Sequence, residues 1–155
     1  MPITKENRSR YPDDWPQIRE SILTRARNRC EWCGVPNYAV GHRASDGEFV
    51  AIRGNIYADL AGQGLSYPSV EPLTYSEARQ WADDCNELGN EDGKLIVIVL
   101  TIAHIHDDSP ENCDPANLAA LCQQCHNRHD APSRAKRRKA KRDAGQRTLP
   151  LETNQ

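Results

Sequence analysis

The chain has 155 residues and a formal net charge of −2, and this length predicts one domain. A mean hydropathy of −0.79 and a single phenylalanine predict a small core that needs a further stabilising element such as a metal. The composition excludes a membrane-spanning protein, because the longest apolar run, residues 95–103, is far shorter than the roughly 20 residues that span a bilayer. No signal-peptide pattern stands at the N-terminus, so we expect a cytoplasmic protein whose six cysteines are metal ligands or buried thiols rather than disulfides.

The first predicted elements are a helix and a hairpin. The segment from Asp13 to Cys30 has a plausible N-cap near Asp14, a proline in its first turn and apolar residues on one face, which predicts a helix. Its arginines (Arg19, Arg25, Arg27 and Arg29) are interpreted as a solvated face, with phosphate contacts as the alternative. Residues 41–52 contain an Asp-Gly pair between strand-like segments and predict a β-hairpin.

The middle of the chain predicts a loop, a helix and a strand. Residues 54–72 are rich in Gly, Pro and Ser and predict a loop. Thr74 and Glu77 have the spacing of a capping box, and Gly89 can end the helix that they begin. One face of this helix holds Ala78, Trp81, Cys85 and Leu88, which predicts a buried thiol at Cys85. The apolar, β-branched segment 94–105 predicts a strand.

The last segment is strongly basic. Residues 134–147 hold eight Lys and Arg against one acidic residue, whereas the rest of the chain holds 12 basic against 21 acidic residues. We expect Pro132 to end or interrupt the preceding helix, and residues 132–155 to form a flexible tail that becomes helical on a polyanion. This charge asymmetry favours salt-sensitive, sequence-tolerant binding of DNA. The candidate DNA contacts are Arg134, Lys136, Arg137, Arg138, Lys139, Lys141 and Arg142.

Two Cys-x-x-Cys pairs indicate a structural metal site. Cys30 and Cys33 form the first pair, and Cys122 and Cys125 form the second. Four thiolates suit a closed tetrahedral Zn²⁺ site, and the long separation of the pairs adds little loop-closure entropy. The alternative is an accidental or redox-active pair, although neither pair lies in a thioredoxin-like βαβ setting. We therefore expect a structural Zn²⁺ bound by all four cysteines.

A second pattern surrounds the second cysteine pair. In "TIAHIHDDSPENCDPANLAALCQQCHNRHD", a histidine ends an apolar strand, an asparagine precedes a short apolar segment and a histidine directly follows the cysteines. Together with "RCEWCG" at 29–34, this pattern resembles the HNH endonuclease family, in its small phage and prophage subgroup with two Cys-x-x-Cys knuckles. Residue types, order and spacing all agree over residues 15–132, apart from the stretch 54–90.

The resemblance implies an α+β fold built on a zinc-stapled, treble-clef-like ββα-metal domain. It divides the chain into an N-terminal arm and helix at 1–29, a nuclease domain at 30–131 and a basic tail at 132–155. The nuclease domain contains an insertion at about 54–90, with a hairpin and helix segment. The role of this insertion is left open.

The resemblance also implies roles for individual residues. His104 would be the general base on a water molecule, a role that suits an imidazole with a pKa of about 6.5. Asn117 would tie the hairpin loop together and orient His104. His126 would bind one catalytic divalent ion (Mg²⁺, Mn²⁺, Ni²⁺ or Zn²⁺) that stabilises charge on the scissile phosphate. Taken singly, each histidine has a structural alternative, and His126 could be a neighbour of the zinc site.

Ala103 departs from the family pattern. Many members carry a second metal ligand immediately before the base histidine, and alanine cannot bind a metal ion. The substitute expected first is Asp130, four residues after His126 and on the same helix face. The alternatives considered are His129, His106, Asp107 and Asp108.

The resemblance implies a DNA-cutting enzyme with nicking or weakly specific activity. Its partners would be DNA and packaging or replication proteins of a phage, in the cytoplasm of a bacterial host cell. The main alternative is a non-catalytic DNA-binding or packaging accessory protein on the same scaffold, which Ala103 favours.

Overall fold

The computed structural model describes residues 5–52, 57–58, 64–65, 74–89 and 93–147. Its helices are α1 (Lys5–Arg8), α2 (Trp15–Arg25), α3 (Tyr75–Leu88) and α4 (Gln123–Arg147), with a 3₁₀ turn at Pro115–Asn117. Its strands are β1 (Val40–Arg43), β2 (Phe49–Ala51), β3 (Tyr57–Ala58), β4 (Gly64–Leu65), β5 (Ile96–Val97), β6 (Thr101–His104) and β7 (Leu118–Leu121). They form antiparallel sheets of order β2-β1-β5, β3-β4 and β6-β7. The predicted α+β class is confirmed.

Helix α2 begins where the sequence predicts and ends earlier. Asp14 is the N-cap, and a proline lies in the first turn. The predicted end at Cys30 is wrong, because Arg27 and Asn28 both adopt a left-handed backbone with φ of 52° and the helix stops at Arg25. This turn leads the chain into the first cysteine pair.

Arg25 links α2 to the hairpin formed by β6 and β7. Its guanidinium donates to the carboxylate of Glu31 at 2.9 Å and to the carbonyl oxygens of Pro115 and Leu118 at 2.7 Å each. Glu31 in turn accepts a hydrogen bond from the Ala120 N–H at 2.6 Å. The interpretation of the helix arginines as a solvated or phosphate-binding face is therefore wrong for Arg25, which has a structural role.

The first hairpin and the third helix agree with the sequence. Strands β1 and β2 pair antiparallel on either side of the predicted Asp46-Gly47 turn. Helix α3 has the predicted capping box at Thr74, and Cys85 on its apolar face is fully buried. Leu88 is exposed although it shares the apolar face, because the helix ends there. The predicted loop at 54–72 lies outside the described residues except for the short β3-β4 pair.

The predicted strand at 94–105 is two strands in two sheets. Strand β5 pairs with β1, whereas β6 pairs with β7. Between them Ile98 and Leu100 are buried, and the Leu100 N–H donates to Asn37 Oδ1 at 3.0 Å. Residues 95–103 are apolar apart from Thr101, and their hydrophobic pattern alone does not show where the backbone changes partners. This change of partner separates a core under α3 from a second core between α2, β6 and β7.

Helix α4 continues through Pro132, so the predicted end or interruption there is wrong. Proline removes one intrahelical donor and crowds the preceding turn. The lost donor would have served the Arg128 carbonyl, and next to it the Arg134 guanidinium donates to the Asn127 carbonyl at 2.6 Å. The basic segment is therefore helical as far as residue 147. No helix within the described ranges is long and apolar enough to cross a membrane.

Candidate functional site

Four cysteine sulfurs form a compact cluster. The Sγ atoms of Cys30, Cys33, Cys122 and Cys125 all lie within 4.8 Å of one another, and those of Cys33 and Cys122 are 3.8 Å apart. A tetrahedral site with Zn–S bonds of about 2.3 Å has sulfur–sulfur edges of about 3.8 Å. The cluster could therefore hold a structural metal such as zinc. In the part of the chain that the structure describes, no other group of three or more His, Cys, Asp or Glu meets the same distance limit.

Backbone geometry brings the two cysteine pairs together. The Gly34 N–H donates to the Cys30 carbonyl at 2.8 Å, in a knuckle that needs the left-handed φ of 74° at Gly34. The second pair begins directly after β7 and enters the first turn of α4. The Cys122 N–H then donates to the Cys30 sulfur at 3.4 Å. The β6-β7 hairpin and α4 therefore set the positions of Cys122 and Cys125, which are half of the cluster.

The electrostatics of the cluster favour the thiolate of Cys30 and oppose those of Cys33 and Cys125. Burial acts to raise the pKa of Cys30, but N–H groups of Cys122, Cys33 and Trp32 outweigh it and lower that pKa to about 7. Burial raises the pKa values of Cys33 and Cys125. Several thiolates at this spacing repel one another, so a cation is needed to hold all four deprotonated. The remaining thiols, Cys85 and Cys113, lie outside the cluster.

A cleft of about 500 Å³ opens where α1 and α2 face β6 and α4, and His126, which follows Cys125 of the cluster directly in the chain, lines it. It collects three of the predicted catalytic and metal-binding residues from segments far apart in the sequence. Its polar lining includes His104, Asp108, His126, His129, Asp130, Arg19 and Arg137. On α4, His126, Asp130, Ser133 and Arg137 repeat every three or four residues, so one helix face lines the cleft.

His104 ends β6 and is held between aromatic rings. The Trp15 ring lies parallel to the imidazole, 8° between planes and 6.3 Å between centroids, and Tyr11 approaches edge-on at 5.9 Å. His104 Nε2 is buried and has no hydrogen-bond partner among the described residues, which leaves Nδ1 as the nitrogen for chemistry. Burial lowers the pKa of His104, against the opposing effect of Asp108 and Asp107. The imidazole is therefore neutral at pH 7 and able to accept a proton.

Asn117 ties the loop that follows His104. Its Oδ1 accepts from the N–H groups of His106 and Asp107 at 2.9 and 3.0 Å. Its Nδ2 donates to the carbonyl oxygens of Asp107 and Asn112 at 2.9 and 3.0 Å. Asn117 is itself buried at the end of the 3₁₀ turn, so these four hydrogen bonds fix the loop against β7.

Replacing Asn117 with alanine is expected to lower the free energy of unfolding by about 2–3 kcal/mol, because four hydrogen bonds are lost and two loop N–H groups lose their acceptor. Urea unfolding followed by circular dichroism measures this. The matched control is Asn127→Ala, an exposed asparagine of α4 that should change stability by less than about 0.5 kcal/mol. Equal losses in the two variants would contradict the role given to Asn117.

His126 is oriented by Thr101. The Thr101 hydroxyl donates to the Leu121 carbonyl at 3.3 Å and lies 2.7 Å from His126 Nδ1. With the single hydroxyl proton assigned to the Leu121 carbonyl, the hydroxyl accepts from the ring, which puts the ring proton on Nδ1 and leaves the Nε2 lone pair free. His126 Nε2 lies 3.7 Å from Asp130 Oδ2. A nitrogen and a carboxylate oxygen therefore face each other across one turn of α4.

His129 holds the other oxygen of Asp130. Its Nδ1 lies 3.2 Å from Asp130 Oδ1, and its Nε2 lies 3.3 Å from the Ile105 carbonyl. Its ring also contacts the exposed Trp32 of the first knuckle edge-on, at 5.7 Å. A neutral imidazole has one N–H, so His129 donates to one of these two acceptors and lies against the other, a position from which it can orient Asp130.

The remaining alternatives for the ligand missing at Ala103 are less well placed. Ala103 itself is packed in the core and does not line the cleft. His106 is exposed, and the Asp107 carboxylate accepts hydrogen bonds from Ser109 and Asn112 within its own loop. These hydrogen bonds lower the pKa of Asp107 to about 2, and the one from Asn112 has the largest effect. Asp108 lines the cleft, 4.0 Å from the Arg137 guanidinium.

The candidate DNA contacts extend along α4 away from the cleft. Arg134 is partly engaged by Asn127, and Arg137 lines the cleft. Arg138, Lys141 and Arg142 border a separate open pocket on the same helix. The remaining two basic residues, Lys136 and Lys139, are exposed. The basic segment therefore continues the helix that carries His126 and Asp130.

Sequence reasoning missed the residues that surround the predicted ones. Trp15 and Tyr11 enclose His104, and Thr101 orients His126. Thr101 is the single polar residue in an apolar run, a weak signal that it has a specific partner. Nothing in the sequence linked the aromatic residues near the N-terminus to a histidine about 90 positions later.

This arrangement can bind one structural metal in the cysteine cluster and offers a neutral base, a nitrogen–carboxylate pair and two arginines in the cleft. Such a set suits hydrolysis of an anionic substrate. Comparisons with protein-family models, with curated proteins and with solved structures found no match.

Proposed function

We propose that this protein is a zinc-stabilised, metal-dependent endonuclease of the HNH type that hydrolyses phosphodiester bonds in DNA. The observation that carries the proposal is the cleft that contains His104, His126 and Asp130 where a β-hairpin meets a helix that also carries a cysteine of the cluster. A hairpin followed by a helix is the element order of the ββα-metal fold. The structural ion would be Zn²⁺, because four thiolates in this geometry are a typical zinc ligand set.

A catalytic divalent ion fits the cleft on the chemistry of its donors. His126 Nε2 and Asp130 Oδ2 would hold it, because an imidazole nitrogen and a carboxylate oxygen, both common metal ligands, lie on one helix face 3.7 Å apart. Two protein ligands leave positions for water and a phosphate oxygen, as is usual for Mg²⁺, and the imidazole also suits Mn²⁺, Ni²⁺ or Zn²⁺. When bound, the ion would stabilise negative charge on the phosphate and the leaving oxygen.

The protein residues would divide the remaining work. His104 Nδ1 would take the proton from the attacking water, since the other ring nitrogen is buried. Asn117 would keep the following loop, and with it the end of β6, in one conformation. His129 would keep Asp130 turned toward His126. The expected products are a 5'-phosphate and a 3'-hydroxyl.

The contact between Thr101 and His126 supplies a test of the catalytic metal site. Thr101→Val is expected to weaken Mn²⁺ binding by the zinc-loaded protein about 10–100-fold, because the imidazole loses the group that fixes its orientation. Isothermal titration calorimetry measures the affinity. Thr101→Ser keeps the hydroxyl and should bind Mn²⁺ nearly as the wild type does. A valine variant with unchanged affinity would remove Thr101 from the site.

The nuclease proposal is tested on the products as well as on the rate. An end-labelled DNA duplex is incubated with the zinc-loaded protein and Mg²⁺, Mn²⁺ or Ni²⁺, and the fragments are then offered to a DNA ligase that requires a 5'-phosphate and a 3'-hydroxyl. Ligatable ends formed only with added metal support the proposal. Intact DNA with every metal would contradict it.

A second candidate function is DNA binding without cleavage. Ala103 favours it, as does the presence of two rather than three candidate ligands at His126 within the described residues. The basic face of α4 would supply the affinity. Under this alternative, intact DNA would be accompanied by a gel shift that weakens steeply with added salt and is lost when the α4 basic residues are replaced by glutamine.

A further inference from the structure

We infer that Arg19 binds the scissile phosphate in the cleft, an inference that rests on the proposed nuclease function. Arg19 follows Trp15 by one turn of α2 and therefore lies on the same helix face. Trp15 packs against His104, and Arg19 lines the same cleft as His104 and Asp130. Arg19 therefore lines the cleft into which His104 would deliver the activated water.

Arg19 is partly buried and has no hydrogen bond or ion pair among the described residues. Three arginines on other surfaces are paired with carboxylates, Arg10 with Glu111, Arg25 with Glu31 and Arg79 with Asp83, whereas Arg27 has no ion pair among the described residues but is exposed. The five N–H donors of a guanidinium without a protein partner are available to a ligand, and a phosphate or carboxylate matches their geometry. An unpaired arginine half-buried in a cleft therefore indicates an anionic ligand.

The carboxylates of the cleft do not supply that anion. Asp130 faces His126 with one oxygen and His129 with the other. Asp108 lies 4.0 Å from Arg137, on the exposed side of the cleft. The planar guanidinium fork matches two oxygens of a phosphate group, which is the anion that the proposed reaction brings to this place.

Two substitutions and one control test the inference by single-turnover cleavage of a short DNA duplex in Mn²⁺. Arg19→Gln is expected to reduce the rate about 100-fold, the usual effect of losing one donor to a developing negative charge. Arg19→Lys keeps the positive charge but lacks the planar pair of N–H donors, so its cleavage rate should lie between those of the wild type and Arg19→Gln. Arg27→Gln removes the same charge from an exposed position outside the cleft and should leave the rate unchanged. Equal rates for both glutamine variants would overturn the inference.

A second measurement does not depend on cleavage. The wild-type protein is treated in EDTA with phenylglyoxal, which modifies free guanidinium groups, with and without the same duplex, and modified arginines are located by mass spectrometry. Arg19 should be protected by the duplex, whereas Arg27 should react equally in both samples. If the wild type cuts no DNA and Arg19 is still protected, the nuclease proposal fails and the phosphate contact stands. If the wild type cuts DNA and Arg19 is not protected, the contact with Arg19 fails alone.

Discussion

If the cysteine cluster holds zinc, as proposed, the Cys125→Ser variant is expected to bind none and to unfold the part of the molecule that contains the candidate site. Cys125 is buried, and its cluster joins the turn after α2 to the junction of β7 and α4. Structural zinc contributes about 10 kcal/mol or more to the folding of small domains, whereas a typical domain is stable by about 5–15 kcal/mol. Few other contacts in this small core can compensate for such a loss.

Thermal unfolding by circular dichroism and zinc content by atomic emission measure this effect. The matched control is Cys113→Ser, because Cys113 lies outside the cluster and its sulfur donates to the Pro110 carbonyl at 3.2 Å, a bond that serine can replace. The control should keep one zinc per chain and a melting temperature near that of the wild type. A Cys125 variant that melts like the control would contradict a structural metal at the four cysteines.

The His104→Ala variant is expected to keep the fold and to lose about 10²–10⁴-fold in the rate of DNA cleavage, the usual contribution of a positioned general base. His104 stands at the end of a strand and its Nε2 makes no hydrogen bond to a described residue, so its removal breaks no polar network there. Single-turnover cleavage with Mn²⁺ measures the rate. The control is His106→Ala, an exposed histidine two residues later whose side chain should not matter.

The pH dependence of the rate provides a further check on His104. Burial between Trp15 and Tyr11 lowers its pKa below the ordinary value of 6.5, so the neutral, proton-accepting form persists to lower pH. We therefore expect the acid limb of the single-turnover rate to lie below pH 6.5 and to be absent from the residual activity of His104→Ala. An acid limb above pH 6.5 would contradict a buried neutral base at this position.

Patterns confined to short segments were predictable from the sequence. The capping box at Thr74, the first hairpin and the two cysteine pairs each depend on residues a few positions apart, whose geometry follows from local backbone rules. The hydrogen bonds of Asn117 are also short-range, because they join it to loop residues within about ten positions in the sequence.

Features that depend on tertiary packing were not predictable. The strand at 94–105 divides between two sheets because of partners at β1 and β7, which its own apolar sequence does not encode. The aromatic enclosure of His104 joins residues about 90 positions apart, and the pairing of Arg25 depends on carbonyl groups that only the fold brings near. Pro132 was expected to break a helix that the structure continues, since local propensity is a weak guide within a long helix.

The most direct measurement of the central claim is nicking of supercoiled plasmid by the zinc-loaded protein. Wild type and His104→Ala are incubated side by side in EDTA and in Mg²⁺, Mn²⁺ or Ni²⁺, and open-circular DNA is quantified on agarose gels. We predict nicking by the wild type with at least one of these metals, none in EDTA, and a loss of at least about 100-fold in the variant. Equal nicking by both proteins, or no nicking with any metal, would contradict an endonuclease that uses His104 as its base.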